Sequence, residues 1–127
     1  MRIKFLALLG MMLFSFSASA TDITIYNQLS TKITAHIYLN PGILGSCGTT
    51  SDFTVPAQAS KNKAYGLCTV ASVTATGTIP PGWSDAGQTK LLCIWNDSIL
   101  SNLGYFPLYI DPSKGCRYGD ASYVSFF

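Results

Sequence analysis

The stretch that decides the fold is Lys32-Ile33-Thr34-Ala35-His36-Ile37-Tyr38-Leu39-Asn40. It sets Ile33, Ala35, Ile37 and Leu39 on one side and Thr34, His36 and Tyr38 on the other. A period of two is the signature of a half-buried β-strand, because successive side chains leave opposite faces of the pleat. Upstream, Asp22 to Asn27 repeats the pattern with Ile23 and Ile25 against Thr24 and Tyr26. The polar run Gln28-Leu29-Ser30-Thr31 separates the two, so they are expected to form a hairpin.

Downstream, Pro41-Gly42 ends the strand and a glycine-rich loop carries Cys47 to a short strand around Phe53 and Val55, stopped by Pro56. Ser60-Lys61-Asn62-Lys63 reads as a polar turn. From Tyr65 to Ile79 the chain is rich in Thr and Val, but the inward parity changes between Cys68-Val70 and Val73-Ala75. One extra residue near Ala71-Ser72, a β-bulge, accounts for that change. Pro80-Pro81-Gly82-Trp83-Ser84-Asp85-Ala86-Gly87 is a loop with an indole at its tip. Lys90 to Trp95 is apolar on both parities, which suggests a central strand covered on both faces. Asn96 to Gly104 reads as a loop or one helical turn. Tyr105 to Ile110 is a strand, Asp111-Pro112-Ser113-Lys114-Gly115 a tight hairpin turn, and Ser122 to Phe127 a last strand. About seven short strands, with no sustained helical stripe, point to an all-β fold: an antiparallel β-sandwich of Greek-key or immunoglobulin-like type.

The first twenty residues differ in kind from the rest. Arg2 and Lys4 precede an apolar run from Phe5 to Phe16 and then Ser17-Ala18-Ser19-Ala20, the order of a secretory signal with cleavage expected after Ala20. About 12 apolar residues fall short of the roughly 20 that a spanning helix needs, and no second such run follows. The reading is a signal peptide over residues 1–20, one domain over 21–127, no membrane span in the mature chain, and a secreted or periplasmic destination.

Four cysteines follow the leader, Cys47, Cys68, Cys93 and Cys116. Their even number in a small exported chain predicts two disulfides. Three connectivities are possible and spacing does not choose among them; sequential pairing is the one preferred. Separations above 20 residues do not match the close pairs of zinc sites, so neither a metal nor a cofactor is expected.

Charge narrows the function classes. The chain carries eight Lys and Arg and six acids, all Asp; with Arg2 and Lys4 in the leader, residues 21–127 hold six of each sign and are formally neutral. A neutral chain without a basic run argues against a nucleic-acid partner. There is no Glu, and His36 is the single histidine. A small hydrolase would need His36 as base with one of the Asp residues, but no G-x-S-x-G elbow accompanies it and an outward strand position accounts for it. Calcium could draw on Asn96, Asp97, Asp111 and Asp120, yet no compact calcium loop is present. Asn96-Asp97-Ser98 is formally a glycosylation acceptor.

Aromatics remain as the chemistry for recognition, since Tyr and Trp pair a flat apolar face with a polar tip. The expected ligand-binding residues are Trp83 for stacking, Asp85 for an orienting hydrogen bond, and Tyr105 and Tyr118 at the edge of the patch. The first functional expectation is a non-catalytic binding module for a glycan or an extracellular protein surface. The alternative is a structural subunit that assembles by strand addition through Ser122 to Phe127. The terminal Tyr123-Val124-Ser125-Phe126-Phe127 also resembles the closing strand of outer-membrane barrels, although such barrels need strands of about 9 to 11 residues.

Overall fold

The computed structural model describes residues 20–96, 100 and 103–119. The leader before Ala20, Asp97, Asp120, the glycosylation acceptor and the terminal strand lie outside the described residues in whole or in part. Eight strands form two four-stranded sheets, β4-β1-β7-β8 and β3-β2-β5-β6. Their ranges are β1 Thr21–Asn27, β2 Ile33–Leu39, β3 Thr50–Val55, β4 Ala59–Gly66, β5 Val70–Thr78, β6 Thr89–Trp95, β7 Tyr105–Asp111 and β8 Gly115–Tyr118.

The alternating run builds β2, whose Ile33, Ala35, Ile37 and Leu39 are buried against Ile23 and Ile25 of β1 and Phe106, Leu108 and Ile110 of β7 in one core. The sandwich is therefore as expected, with eight strands among the described residues. Among the described residues all ladders but one are antiparallel; β1 and β7 run parallel, with Ile25 opposite Leu108.

The expected β1–β2 hairpin does not form. β1 pairs with β4 and β7, while β2 pairs with β3 and β5 in the other sheet. Leu29, in the connection, is 1% exposed: burying it pulls the chain across the core rather than back along β1. Asn27 fixes the crossing. Its amide donates to the carbonyls of Thr31, Val55 and Pro56 at 2.9, 3.3 and 3.1 Å, and its Oδ1 accepts from Leu29 N at 3.1 Å.

Ser60 to Lys63 is not a turn but the middle of β4, at the edge of its sheet. Lysines on an edge strand discourage further pairing. Here they also cover the open side of the sandwich: Lys63 lies over the Phe53 ring at 5.6 Å and Lys61 donates to Thr54 O at 3.0 Å.

The parity change in β5 is a bulge, as expected, since Tyr38 pairs with Ser72 but Leu39 with Val70, leaving Ala71 as the extra residue. A second bulge corrects the reading of β6. Ala75 pairs with Cys93 and Thr76 with Leu91, so Leu92 is extra, and both Leu92 and Cys93 are fully buried. The doubled parity came from a bulge in an edge strand, not from cover on both faces. Gly77 sits beside it because a Cβ there would come within 3.1–3.2 Å of Ile33, Leu92 and the Lys32 carbonyl.

Both disulfides join sequential cysteines. Cys93–Cys116 ties β6 to β8, binding the two sheets along one side; Cys47–Cys68 ties the β2–β3 loop to the β4–β5 loop. The Asp111 to Gly115 hairpin forms as expected. Asp111 Oδ1 accepts from Ser113 N and Oγ, both at 2.8 Å, and from Lys114 N at 3.0 Å, and Gly115 takes φ 83°.

Candidate functional site

At one end of the sandwich the β5–β6 loop meets the β7–β8 turn. The loop is closed on itself by Ile79 N to Gln88 O at 2.8 Å and Gly87 N to Ile79 O at 2.9 Å. Trp83 folds back, half-buried against the core, and its Nε1 donates to Pro112 O at 2.9 Å. One bond thus satisfies the indole N–H and locks the ring between two tight turns. Around it opens a hollow of about 610 Å³ lined by Gly82, Trp83, Ser84 and Pro112, Ser113, Lys114 and Gly115. That volume lies in the range of small-ligand sites. Hydroxyls of Ser84 and Ser113 and the ammonium of Lys114 supply its polar groups; Lys114 has no ion-pair partner among the described residues.

Asp85 is placed next to this hollow in sequence but does not line it. Its backbone is left-handed at φ 61°, and its carboxylate meets Lys90 at 3.2 Å with both groups about half exposed. Ser113 and Lys114, not Asp85, line the hollow with the indole. Sequence gave them a turn role only, because nothing in it brings residue 83 beside residue 113.

Tyr105 and Tyr118 lie elsewhere. Tyr118 shares the inward parity of its ladder partner Leu108 and packs on the core, tilted against Phe106 at 6.1 Å. Tyr105 opens β7, seven residues before Pro112, so about 20 Å of strand separates it from the indole. It belongs to a strip on the outer face of its sheet. Tyr26 stacks on Tyr109 with centroids 4.5 Å apart and planes at 8°, Arg117 lies 5.1 Å from the Tyr109 centroid, and the Tyr26 and Tyr105 hydroxyls are 3.0 Å apart. That hydrogen bond, with some desolvation, holds the Tyr26 phenol above its ordinary pKa. The free face of Tyr26, on the side of β4, borders a smaller hollow with Gln28, Gln58 and Ser60. Alternation in Asp22-Thr24-Tyr26 and Tyr105-Pro107-Tyr109 held the signal for this strip; the parallel pairing that joins the two rows did not show in the sequence.

His36 stands on the outer face of the other sheet, its Nδ1 3.0 Å from Asp52 Oδ1 and its Nε2 3.3 Å from Thr76 Oγ1. Hydroxyl, imidazole and carboxylate fall in the order of an acyl-transfer triad, but on three adjacent strands. The amides of β2 and β5 are committed to ladders on both sides. On β2 and β5, which carry His36 and Thr76, no pair of N–H groups is therefore left to receive a developing oxyanion. As a cross-strand polar row it needs no catalytic role. Of the calcium candidates, Asp111 spends Oδ1 on its own turn, and no cluster of three or more metal-ligating side chains occurs among the described residues.

No family model and no curated protein matches the sequence. Among solved structures, a protein from Eubacterium rectale is similar at TM-score 0.43 and 14% identity, over 81% of this chain and 89% of that one. The human-specific toxin intermedilysin is similar at TM-score 0.37 and 12% identity, over 80% of this chain and 23% of the toxin. Neither likeness bears on function.

Proposed function

We propose that the protein is an exported, non-catalytic binding module that stacks a sugar ring on Trp83. The observation that carries this reading is the indole itself, held by its N–H to Pro112 in an open hollow with hydroxyls and an ammonium on its rim. A ring already fixed loses little freedom when a ligand arrives, and hydroxyl donors match the equatorial oxygens of a sugar. Lys114, the only charge lining the hollow among the described residues, favours glycans with an acidic residue over neutral ones. The glycan reading is preferred to a protein surface because the hollow is concave and half polar. Export through the segment before Thr21 accords with two disulfides, which persist in oxidising compartments.

The test is titration of neutral and acidic oligosaccharides followed by tryptophan fluorescence. Trp83→Ala is expected to weaken the best ligand about 30-fold or more while both disulfides and cooperative unfolding persist. Lys114→Ala is expected to weaken acidic glycans and leave neutral ones alone. An unchanged affinity in Trp83→Ala sinks the assignment.

A further inference from the structure

At the end of the sandwich opposite Trp83, two loops project beyond the strands and are joined by Cys47–Cys68. Their summit is aliphatic: Ile43 is 83% exposed, Leu44 101% and Leu67 78%. These three are the most exposed large apolar side chains among the described residues, and isolated exposed apolar residues are ordinary whereas a cluster on one summit marks a contact. The backbone is built to display them. Leu44 is left-handed at φ 55°, a conformation Leu rarely adopts. Around it the loop is closed by Cys47 N to Pro41 O at 3.0 Å and Ser46 N to Ile43 O at 3.1 Å, and tied to the neighbouring loop by Asn40 N to Thr69 O at 2.9 Å. Gly42, at φ 73°, admits the disulfide, since a Cβ there would meet Cys47 Sγ at 2.8 Å.

The chemistry changes in order along the molecule. Residues 40–49 and 67–69 carry no charge. Set back from the summit come Tyr38, the last-but-one residue of β2 on one sheet, and Tyr105, the first of β7 on the other, at 40% and 52% exposure, with Leu103 near Tyr105 at 41%. Every large exposed apolar side chain of the described residues is thus at this end. Aliphatics outermost, with tyrosines and the first charge, Asp22 opposite Tyr105, a step behind, is the order of a bilayer leaflet read from acyl chains to headgroups. A protein pocket has no need of that gradient, and three aliphatics on two disulfide-joined loops present little area to a flat partner.

We infer that this disulfide-joined tip inserts into the outer region of a lipid bilayer, with Ile43, Leu44 and Leu67 in the acyl layer and Tyr38 and Tyr105 at headgroup level. The inference is independent of the glycan reading, because Trp83 and its hollow are at the other end. Insertion depends on apolar transfer and not on charge, so zwitterionic lipid suffices and salt does not reverse it.

The experiment is co-sedimentation of the oxidised protein with phosphatidylcholine vesicles at low and high salt, comparing the parent chain with Leu44→Asp and Leu67→Asp. All carry the same N-terminus, so residues 5–16 cannot produce a difference among them. The parent is expected to bind equally at both salt concentrations, and each variant to lose at least about tenfold in partition coefficient. Both substitutions fall on largely solvated positions, and near-ultraviolet circular dichroism checks that the core is unchanged. Absence of parent binding, or retention by both folded variants, overturns the inference. Self-association abolished by Leu44→Asp, without vesicle binding, would assign the tip to a second copy and likewise overturn it. Retained glycan affinity in Leu44→Asp separates this outcome from failure of the Trp83 reading.

Discussion

Asp111 shows how a single carboxylate positions the proposed site. Desolvation raises its pKa, but hydrogen bonds from the Ser113 hydroxyl and from the Ser113 and Lys114 amides, with the Arg117 charge, outweigh that and leave it below the ordinary Asp value of 3.8. A folded pKa below the unfolded one gives stability that is complete above the unfolded value and lost as pH falls through the folded one. Asp111→Ala should therefore cost about 0.5–1.5 kcal/mol at neutral pH, while Asp111→Asn should lose less there and flatten the acid limb of stability below about pH 4. Urea unfolding midpoints across that range measure both effects. Because the turn also presents Pro112 O to Trp83, Asp111→Ala should loosen the indole and lower glycan affinity. This much of the site was legible: Asp-Pro-Ser-Lys-Gly declares its turn through local chemistry. The pairing of that turn with Trp83 was not, since contact across 29 residues depends on how both sheets pack.

Single side chains also decide where whole strands go. Strand identity was readable wherever period two ran unbroken, as in β2, and the Ala71 bulge was readable because it broke that period in one place. β4 was not, because its lysines and Asn62 serve an edge rather than a core and carry no apolar face. The partner of β1 was not readable either, since Ile23 and Ile25 fit any strand with an apolar face. What chooses is Asn27, which is 1% exposed and carries four hydrogen bonds at the crossing between sheets. Removing its side chain leaves carbonyls of Val55 and Pro56 short of a donor in a place water reaches poorly. Asn27→Ala should thus destabilise the domain by about 2–3 kcal/mol, well above a typical surface substitution, and Asn27→Asp should not rescue it, because a carboxylate accepts where donors are needed. Guanidinium unfolding with both disulfides intact reads this directly; a loss under about 0.5 kcal/mol would show that β1 is directed by packing alone.

Across the whole molecule the two proposed contacts sit at opposite poles. β2 and β7 run the length of the sandwich, and a seven-residue strand spans about 23 Å, so the Trp83 hollow lies at least that far from the tip that carries Leu44. The formal neutrality of residues 21–127 is consistent with both poles, since neither stacking nor apolar insertion needs a net field. A domain inserted by its tip would hold the hollow in water beyond the headgroups, facing away from the bilayer. Two consequences can be measured together. Vesicle-bound protein should bind glycan with the affinity of free protein, within about twofold, because the sites share no residue. Lipids brominated along the acyl chain should quench an indole introduced by Leu44→Trp in a Trp83→Phe background, and should leave Trp83 of the parent chain and buried Trp95 unquenched. Quenching of Trp83 in the parent would place the wrong pole in the membrane, and competition between vesicles and glycan would mean that one surface serves both.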